Sequence, residues 1–296
     1  MPAVRNDWRA NDGPCPLCGS ARRRVIGRRG GDAHRARRGV ETRVVRCCDC
    51  GGYYASPTLL PNGNPYADES SDDYFRLHDA EQRRGIGRRL AATAEALLGR
   101  KGTMLELGCG RGDVLRGARD AGWSVCGIEM TPQFADEAEA RGIEVERSDI
   151  ESARLLDRQF DAIMFAAVLE HLYRPMEVLR RARRALTDDG VIFIDVPNED
   201  SLALAAGNLY MRARGRDWAV NLSPTFPPYH VVGFTPASLR RALEASGFDV
   251  IELTMVRWGT ELPQLHRMER AALRAVSWLG SKLGRADGIC CWARAA

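Results

Sequence analysis

The chain has 296 residues, of which 45% are hydrophobic and 28% are charged, and its formal net charge is +4 at pH 7. This length predicts one sizeable α/β domain with a smaller appendage. The longest strongly apolar run, at residues 162–169, is less than half of the roughly 20 residues that a bilayer span needs, so composition excludes a transmembrane segment. Residues 1–10 are polar and unlike a signal peptide, and we therefore expect a cytoplasmic protein.

The first predicted element is a pair of Cys-x-x-Cys-Gly motifs near the N-terminus. Clustered cysteines in a reducing compartment indicate a metal rather than a disulfide framework. A two-residue spacing lets one tight turn present both sulfurs to a single ion, and four thiolates make a closed tetrahedral site. We therefore predict a structural zinc ion bound by Cys15, Cys18, Cys47 and Cys50. Cys48 is the alternative to Cys47, at a tighter spacing.

Arginine is dense between the two cysteine motifs, with ten arginines in residues 22–46. Such a stretch is either a solvated loop or a surface that contacts phosphates. Residues 53–73 are rich in Pro, Asn, Gly, Ser and Asp, which is typical of a linker. We accordingly predict a zinc-ribbon module at residues 1–56, a linker at 57–77 and a second domain at 78–296.

An amphipathic helix at residues 78–100 is predicted to lead into a regular alternation of strands and helices. The predicted strands lie at residues 102–107, 124–128, 144–146, 160–165, 191–196, 248–255 and 289–292. The predicted helices lie at 112–121, 132–141, 175–186 and 235–246, and an amphipathic segment runs from Leu265 to Leu279. Thr131 and Thr235 each precede a proline, so both hydroxyls are expected to cap the helices that follow. This alternation predicts a Rossmann-like, doubly wound, mostly parallel sheet of seven strands.

A glycine-rich sequence, E-L-G-C-G-R-G at residues 106–112, joins the first of these strands to the next helix. A dinucleotide fingerprint would place a third glycine at position 113, where this chain has Asp113, so NAD and FAD are disfavoured. The sequence resembles the first motif of class I S-adenosylmethionine-dependent methyltransferases. The resemblance implies that the glycines let the backbone approach the methionine part of S-adenosylmethionine and that Glu106 helps to hold its cationic end.

Two further acids follow neighbouring strands. Glu129 comes directly after the second strand, where a carboxylate can accept hydrogen bonds from both ribose hydroxyls, and Asp149 follows the third, where it can accept from the adenine amino group while Ile150 covers the ring. Ligands of open α/β folds bind at the carboxyl ends of the strands, which share one edge of the sheet. The predicted cofactor-binding residues are Glu106, Gly108, Cys109, Gly110, Gly112, Glu129, Met130, Asp149, Ile150 and Ala166.

Later motifs extend the resemblance along the chain. They are V-L-E-H-L at residues 168–172, D-V-P-N at 195–198, H-V-V-G-F-T at 230–235 and G-F at 247–248. These motifs look like the small-molecule branch of the class I family, which includes ubiquinone-biosynthesis O-methyltransferases. With the cysteine motifs and residues 53–57, the chain is similar to bacterial methyltransferases that carry an N-terminal zinc ribbon, some of which act in natural-product or sugar pathways. The resemblance implies methyl transfer to a small-molecule acceptor, with O-methylation favoured.

Two histidines are candidate bases for removing a proton from an oxygen acceptor, because imidazole titrates near neutral pH. His171 follows the fourth strand and His230 precedes a predicted helix, although His171 could equally hold a loop by hydrogen bonding. Residues 199–233 form an insertion that we interpret as a lid, with Trp218 and Tyr229 as acceptor-binding residues. The alternative is that its aromatic side chains form the loop's own small core.

Two other functions are compatible with these motifs. One is an RNA methyltransferase whose basic zinc module contacts phosphates, which strongly salt-dependent RNA binding would support. The other is a non-catalytic protein that binds S-adenosylmethionine and recruits a partner through the ribbon. The protein is expected to be a monomer or a homodimer, and the segment ending at Leu279 either forms a dimer face or packs on the sheet.

Overall fold

The computed structural model describes residues 8–63, 79–154, 157–258 and 266–296. The predicted linker residues 64–77, the first residue of the helix predicted at 78–100, and Leu265 lie outside these ranges. Within them the chain forms a two-stranded, a four-stranded and a seven-stranded sheet.

The N-terminal segment forms five short strands. They are β1 (Trp8–Asn11), β2 (Arg23–Arg29), β3 (Thr42–Cys47), β4 (Tyr53–Ser56) and β5 (Thr58–Pro61). β1 pairs with β5, while β2, β3 and β4 pair antiparallel in sequence order. β5 lies among the residues predicted as a linker, and its Leu59 is buried. We call residues 8–61 the ribbon.

Seven α-helices follow the ribbon in the described chain. They are α1 (Ala80–Leu98), α2 (Asp113–Asp120), α3 (Pro132–Ala140), α4 (Pro175–Ala185), α5 (Leu202–Ala213), α6 (Pro236–Glu244) and α7 (Arg267–Lys282). The hydroxyl of Thr235 accepts from the Ser238 amide at 3.1 Å and caps α6, as predicted. The predicted cap at Thr131 is wrong, because its hydroxyl makes no capping hydrogen bond. Its amide instead donates to the carboxylate of Glu129 at 2.7 Å.

The central sheet has the predicted doubly wound form. Its strands are β6 (Thr103–Leu107), β7 (Ser124–Ile128), β8 (Glu144–Glu146), β9 (Phe160–Ala166), β10 (Leu186–Pro197), β12 (Phe248–Val256) and β13 (Gly288–Ala295). They are ordered β12-β13-β10-β9-β6-β7-β8. The pairs among β6 to β10 are parallel, and β13 is antiparallel to both of its neighbours. The predicted mostly parallel, seven-stranded sheet is confirmed.

Helices cover both faces of this sheet. Leu90 and Ala94 of α1 pack with Met104 and Met164 of the sheet on one face. On the other face, side chains of α4 and α6 form a larger core with the sheet. Tyr54 of the ribbon belongs to this larger core, so the ribbon and the sheet share buried side chains.

The insertion predicted at residues 199–233 contains regular structure. It includes α5 and the short strand β11 (Val232–Gly233), which pairs antiparallel with β4 and extends the ribbon sheet. α5 contacts α7, while Met268 and Trp278 of α7 remain exposed. Among the described residues, no helix has both the length and the apolar composition that crossing a membrane requires.

Candidate active site

The four cysteines of the two motifs converge in the ribbon. The Sγ atoms of Cys15 and Cys50 are 3.6 Å apart, and those of Cys18 and Cys47 are 3.5 Å apart. A tetrahedral zinc ion with Zn–S bonds of about 2.3 Å separates its sulfurs by roughly 3.8 Å, so the cluster fits this ion closely. Cys48 is exposed and lies outside the cluster. The geometry therefore favours Cys47 over Cys48 as the third ligand.

The turn after β6 brings the backbone close to the neighbouring elements. Gly108 and Gly112 have φ angles of 65° and 77°, which favour glycine. A Cβ at Gly108 would lie 2.9 Å from Cγ2 of Val168, so a side chain does not fit there. The side chain of Cys109 is buried with Leu115, so only its main chain remains for a ligand. The turn therefore presents main-chain atoms rather than side chains to a ligand, as the sequence predicts.

Glu129 ties this turn to the end of β7. One carboxylate oxygen accepts from the Gly110 amide at 2.9 Å, and the other accepts from the Thr131 amide at 2.7 Å. The side chain is buried, and burial raises the pKa of Glu129 above its usual value although the two amides oppose this shift. Each carboxylate oxygen keeps a second lone pair, so the group can still accept from the hydroxyls of a ribose.

Glu106 lies in β6 with 1% of its surface exposed. Neither carboxylate oxygen has a hydrogen-bond partner among the described residues. Burial, with smaller contributions from the nearby Glu129 and Asp113, raises the pKa of Glu106 to about 8, although Arg83 opposes the shift. A buried carboxylate without a partner is unfavourable unless it takes up a proton or a cation lies beside it. The ammonium and sulfonium groups of S-adenosylmethionine fit this requirement.

Arg83 of α1 is the charged residue near this site that sequence reasoning missed. It lowers the pKa of both Glu106 and Asp195, although burial dominates each shift. The sequence does contain a sign of this position. Arg83 lies three residues before Ile86 and seven before Leu90, which places it on the apolar side of α1. An arginine on that side is suited to hold the carboxylate of an amino acid ligand.

The remaining predicted cofactor residues lie at the same edge of the sheet. Ile150 is half-buried, and its Cδ1 lies 3.8 Å from the position of a Cβ at Gly108. Asp149 is exposed and accepts from the Glu151 amide at 2.9 Å. Met130 follows Glu129, and Ala166 ends β9; both are half-buried. The structure thus brings Gly108 close to Ile150 and Gly110 close to Glu129, whereas Asp149 is exposed to solvent.

The two predicted histidines meet beside the turn that follows β9. Their ring centroids are 4.8 Å apart at 79°. Oε1 of the buried Glu170 lies 3.9 Å from Nε2 of His171 and 3.9 Å from Nε2 of His230. Burial lowers the pKa of His171 to about 4 and that of His230 to about 3, so both imidazoles are neutral at pH 7. We call Glu170, His171 and His230 the histidine cluster.

The two predicted acceptor-binding residues occupy different places. Tyr229 directly precedes His230, and its ring lies 6.4 Å from that of Trp8. Trp218 lines a surface cavity of about 270 Å³ together with Arg35, Tyr210 and Arg216, whose guanidinium stacks 4.4 Å above the indole. Tyr229 therefore adjoins the histidine cluster, and Trp218 adjoins a basic surface.

The strand order, the glycine turn and the carboxylates at one sheet edge define the fold of a class I S-adenosylmethionine-dependent methyltransferase. The chain belongs to the family described as a methyltransferase domain, whose model matches residues 78–253. This match confirms the resemblance that the sequence motifs indicate. The ribbon lies outside the matched region.

Curated relatives agree with this assignment. A ubiquinone biosynthesis O-methyltransferase of Haemophilus ducreyi is 30% identical over 116 residues, which cover 36% of this chain and 48% of that protein. An uncharacterized 37.1 kDa protein in transposon TN4556 of Streptomyces fradiae is 31% identical over 196 residues, covering 62% and 55%. The chain spans about half the length of these relatives.

Solved structures share the fold. A SAM-dependent methyltransferase from Archaeoglobus fulgidus matches with a TM-score of 0.51 and 20% identity, covering 75% of this chain and 97% of that one. A plantazolicin methyltransferase in complex with SAH matches with a TM-score of 0.51 and 15% identity, covering 76% and 88%. Identities this low establish the architecture alone.

Proposed function

We propose that this protein transfers a methyl group from S-adenosylmethionine to a small-molecule acceptor, with oxygen as the favoured acceptor atom. The observation that carries the proposal is the buried carboxylate of Glu106, which lacks a hydrogen-bond partner in the described chain and lies beside a glycine turn. The name of the Haemophilus ducreyi relative supports an oxygen acceptor. The cytoplasmic location expected from the sequence stays a prediction.

The cofactor is proposed to lie along the carboxyl edge of β6, β7 and β8. In this arrangement Glu106 faces the ammonium end, Arg83 the carboxylate, Glu129 the ribose and Ile150 the adenine ring. S-adenosylmethionine supplies a methyl group on a cationic sulfur that an aligned nucleophile can attack in line. The protein's task is then to hold the donor, exclude water and orient the acceptor.

Glu129→Ala is expected to weaken S-adenosylmethionine binding by about tenfold or more, because it removes the ribose acceptor and releases the Gly110 amide. Isothermal titration calorimetry measures the change. Glu139→Ala is the matched control, since Glu139 is an exposed residue of α3 that pairs with Arg147. Equal affinity for S-adenosylmethionine in the Glu129 variant and the control would show that Glu129 does not bind the cofactor.

Acceptor activation is proposed to occur at the histidine cluster. The Val168 side chain contacts the Gly108 position, so the Leu169–His171 turn begins at the methyl-donor loop. The Val231 amide donates to the main-chain oxygen of Glu170 at 2.9 Å and joins the segment carrying His230 to that turn. Both histidine side chains keep about a fifth of their surface exposed, 22% for His171 and 21% for His230, so an acceptor can reach them.

His171→Ala and His230→Ala are each expected to lower kcat by about 100-fold while changing S-adenosylmethionine affinity much less. Methyl transfer to candidate hydroxylated acceptors, read together with cofactor binding, separates the two effects. His266→Asn is the control, because His266 is an exposed cap of α7 and asparagine also caps helices. Normal kcat in both variants would show that neither histidine activates the acceptor and that the protein acts only by aligning donor and acceptor.

The structure disfavours the RNA alternative. Six of the ten arginines at residues 22–46 form ion pairs within the protein. These are Arg22 with Asp49, Arg23 with Asp12, Arg28 with Glu41 and Asp217, Arg35 with Glu269, Arg37 with Asp32, and Arg46 with Asp200. An arginine that already has a carboxylate partner gains less from a phosphate. A small-molecule acceptor is therefore the function that the charge distribution supports better.

A further inference from the structure

Glu170 is a second buried carboxylate that the cofactor edge does not use. Its side chain is 2% exposed, and neither oxygen has a hydrogen-bond partner in the part of the chain that the structure describes. The distances of 3.9 Å to the two imidazole nitrogens are too long for hydrogen bonds. Such a group requires either a proton or a cation in the space between it and the histidines.

The donor atoms of the histidine cluster suit one metal ion. The three ligand atoms all lie within 4.8 Å of one another. In a tetrahedral or trigonal site with bonds of about 2.0–2.2 Å, ligand atoms lie roughly 3.3–3.8 Å apart, so small side-chain shifts close the site. We propose that Glu170, His171 and His230 bind a single divalent transition-metal ion. Two imidazoles with one carboxylate form a donor set typical of zinc, iron, manganese and cobalt.

The main chain holds the three ligands in place. The His171 amide donates to Val168 at 3.0 Å, and the Val231 amide donates to Glu170. Main-chain groups of Tyr229 and Pro228 hydrogen-bond to His171, which is the kind of contact that orients an imidazole ligand. Tyr229 also has a positive φ of 62°, a strained conformation that tends to occur at functional sites.

This site differs from the cysteine cluster in having an open side. Four sulfurs enclose the ribbon site completely, whereas the histidine cluster offers three protein ligands, two of them partly exposed. Three protein ligands with a vacant position are characteristic of catalytic rather than structural metal sites.

The role of the ion rests on the proposed function. An ion at this position lowers the pKa of an acceptor hydroxyl that it contacts, so the hydroxyl proton can pass to water. The acceptor oxygen then forms a bond to the methyl carbon while the bond between that carbon and sulfur breaks, leaving S-adenosylhomocysteine. The acceptor class is thus a small molecule with a hydroxyl able to ligate a metal.

The test is Mn²⁺ binding to the full chain loaded with one equivalent of zinc, which the four thiolates bind preferentially; the electron paramagnetic resonance signal of free Mn²⁺ measures the binding. Manganese prefers oxygen and nitrogen ligands to thiolates, so it should leave the ribbon site alone. We expect about one bound Mn²⁺ per chain, and Glu170→Gln should weaken binding by at least about tenfold. Glu177→Gln is the control, because Glu177 is an exposed carboxylate of α4.

Glutamine keeps the shape of Glu170 and removes a buried charge, so the variant should fold, which thermal unfolding without Mn²⁺ verifies. The proposal is overturned if wild type binds no Mn²⁺, or if Glu170→Gln binds it as well as the control does. Calorimetry with S-adenosylmethionine separates the two claims. Normal cofactor binding with no Mn²⁺ binding would contradict the proposed metal site but not the proposed methyltransferase function.

Discussion

Glu106→Gln should make the ligand-free protein more stable at alkaline pH and should at the same time weaken S-adenosylmethionine binding. The folded-state pKa of Glu106 is raised from 4.5 to about 8, so the unfolded state loses its proton first as the pH rises. The free energy of unfolding of wild type therefore falls between pH 4.5 and 8, whereas glutamine has no proton to lose. We expect the variant to be more stable by about 2–4 kcal/mol at pH 8.

Urea unfolding at pH 5 and pH 8 measures this effect, and calorimetry measures the expected loss of about tenfold or more in cofactor affinity. Glu95→Gln is the matched control, since the Glu95 side chain is 44% exposed and its contact with Lys101 is 3.9 Å long. A variant that is both less stable at pH 8 and unimpaired in cofactor binding would show that Glu106 serves the fold rather than the ligand.

Cys15→Ser should remove the proposed zinc ion and destabilise both the ribbon and the segment that carries His230. β4 pairs with β11, two residues after His230, and the Tyr53 hydroxyl donates to Asp200 in the insertion at 2.8 Å. Ribbon side chains also share a core with the sheet. Because a ribbon of this kind depends on its metal for stability, we expect the melting temperature to fall by about 10 °C.

Metal analysis is expected to give about one zinc per chain fewer for Cys15→Ser than for wild type and for Cys48→Ser. Cys48 is the control because it adjoins Cys47 but is exposed. Retention of zinc by Cys15→Ser, or its loss from Cys48→Ser, would contradict the assignment of the four ligands.

The α/β core was predictable because its signals are local. Most central strands are short apolar runs, and the crossover helices carry their own apolar periodicity, so the predicted β7 has the same bounds as the observed strand. β11 has no such signal. It is two residues long and exists because it pairs with β4, nearly the whole domain away in sequence. α5 was missed because its residues are largely apolar on all sides, so they show no helical alternation of apolar and polar positions.

The residues of the candidate site likewise include some that the sequence predicts and some that it does not. The glycine turn and Glu129 follow from position alone, since parallel strands end at one edge. Glu170 could not be singled out, because an acid beside a histidine in a sequence motif gives no sign that it is buried without a partner. Trp218 was chosen for its aromatic character, and the structure places it at a basic surface cavity because α5 carries the insertion there.

A crystal structure of the protein grown with S-adenosylhomocysteine would locate the cofactor site. We expect the ligand at the carboxyl edge of β6 and β7, with its ribose hydroxyls on the Glu129 carboxylate and its ammonium group near Glu106. Density for the ligand at another surface, with Glu106 still buried and unpaired, would contradict this placement.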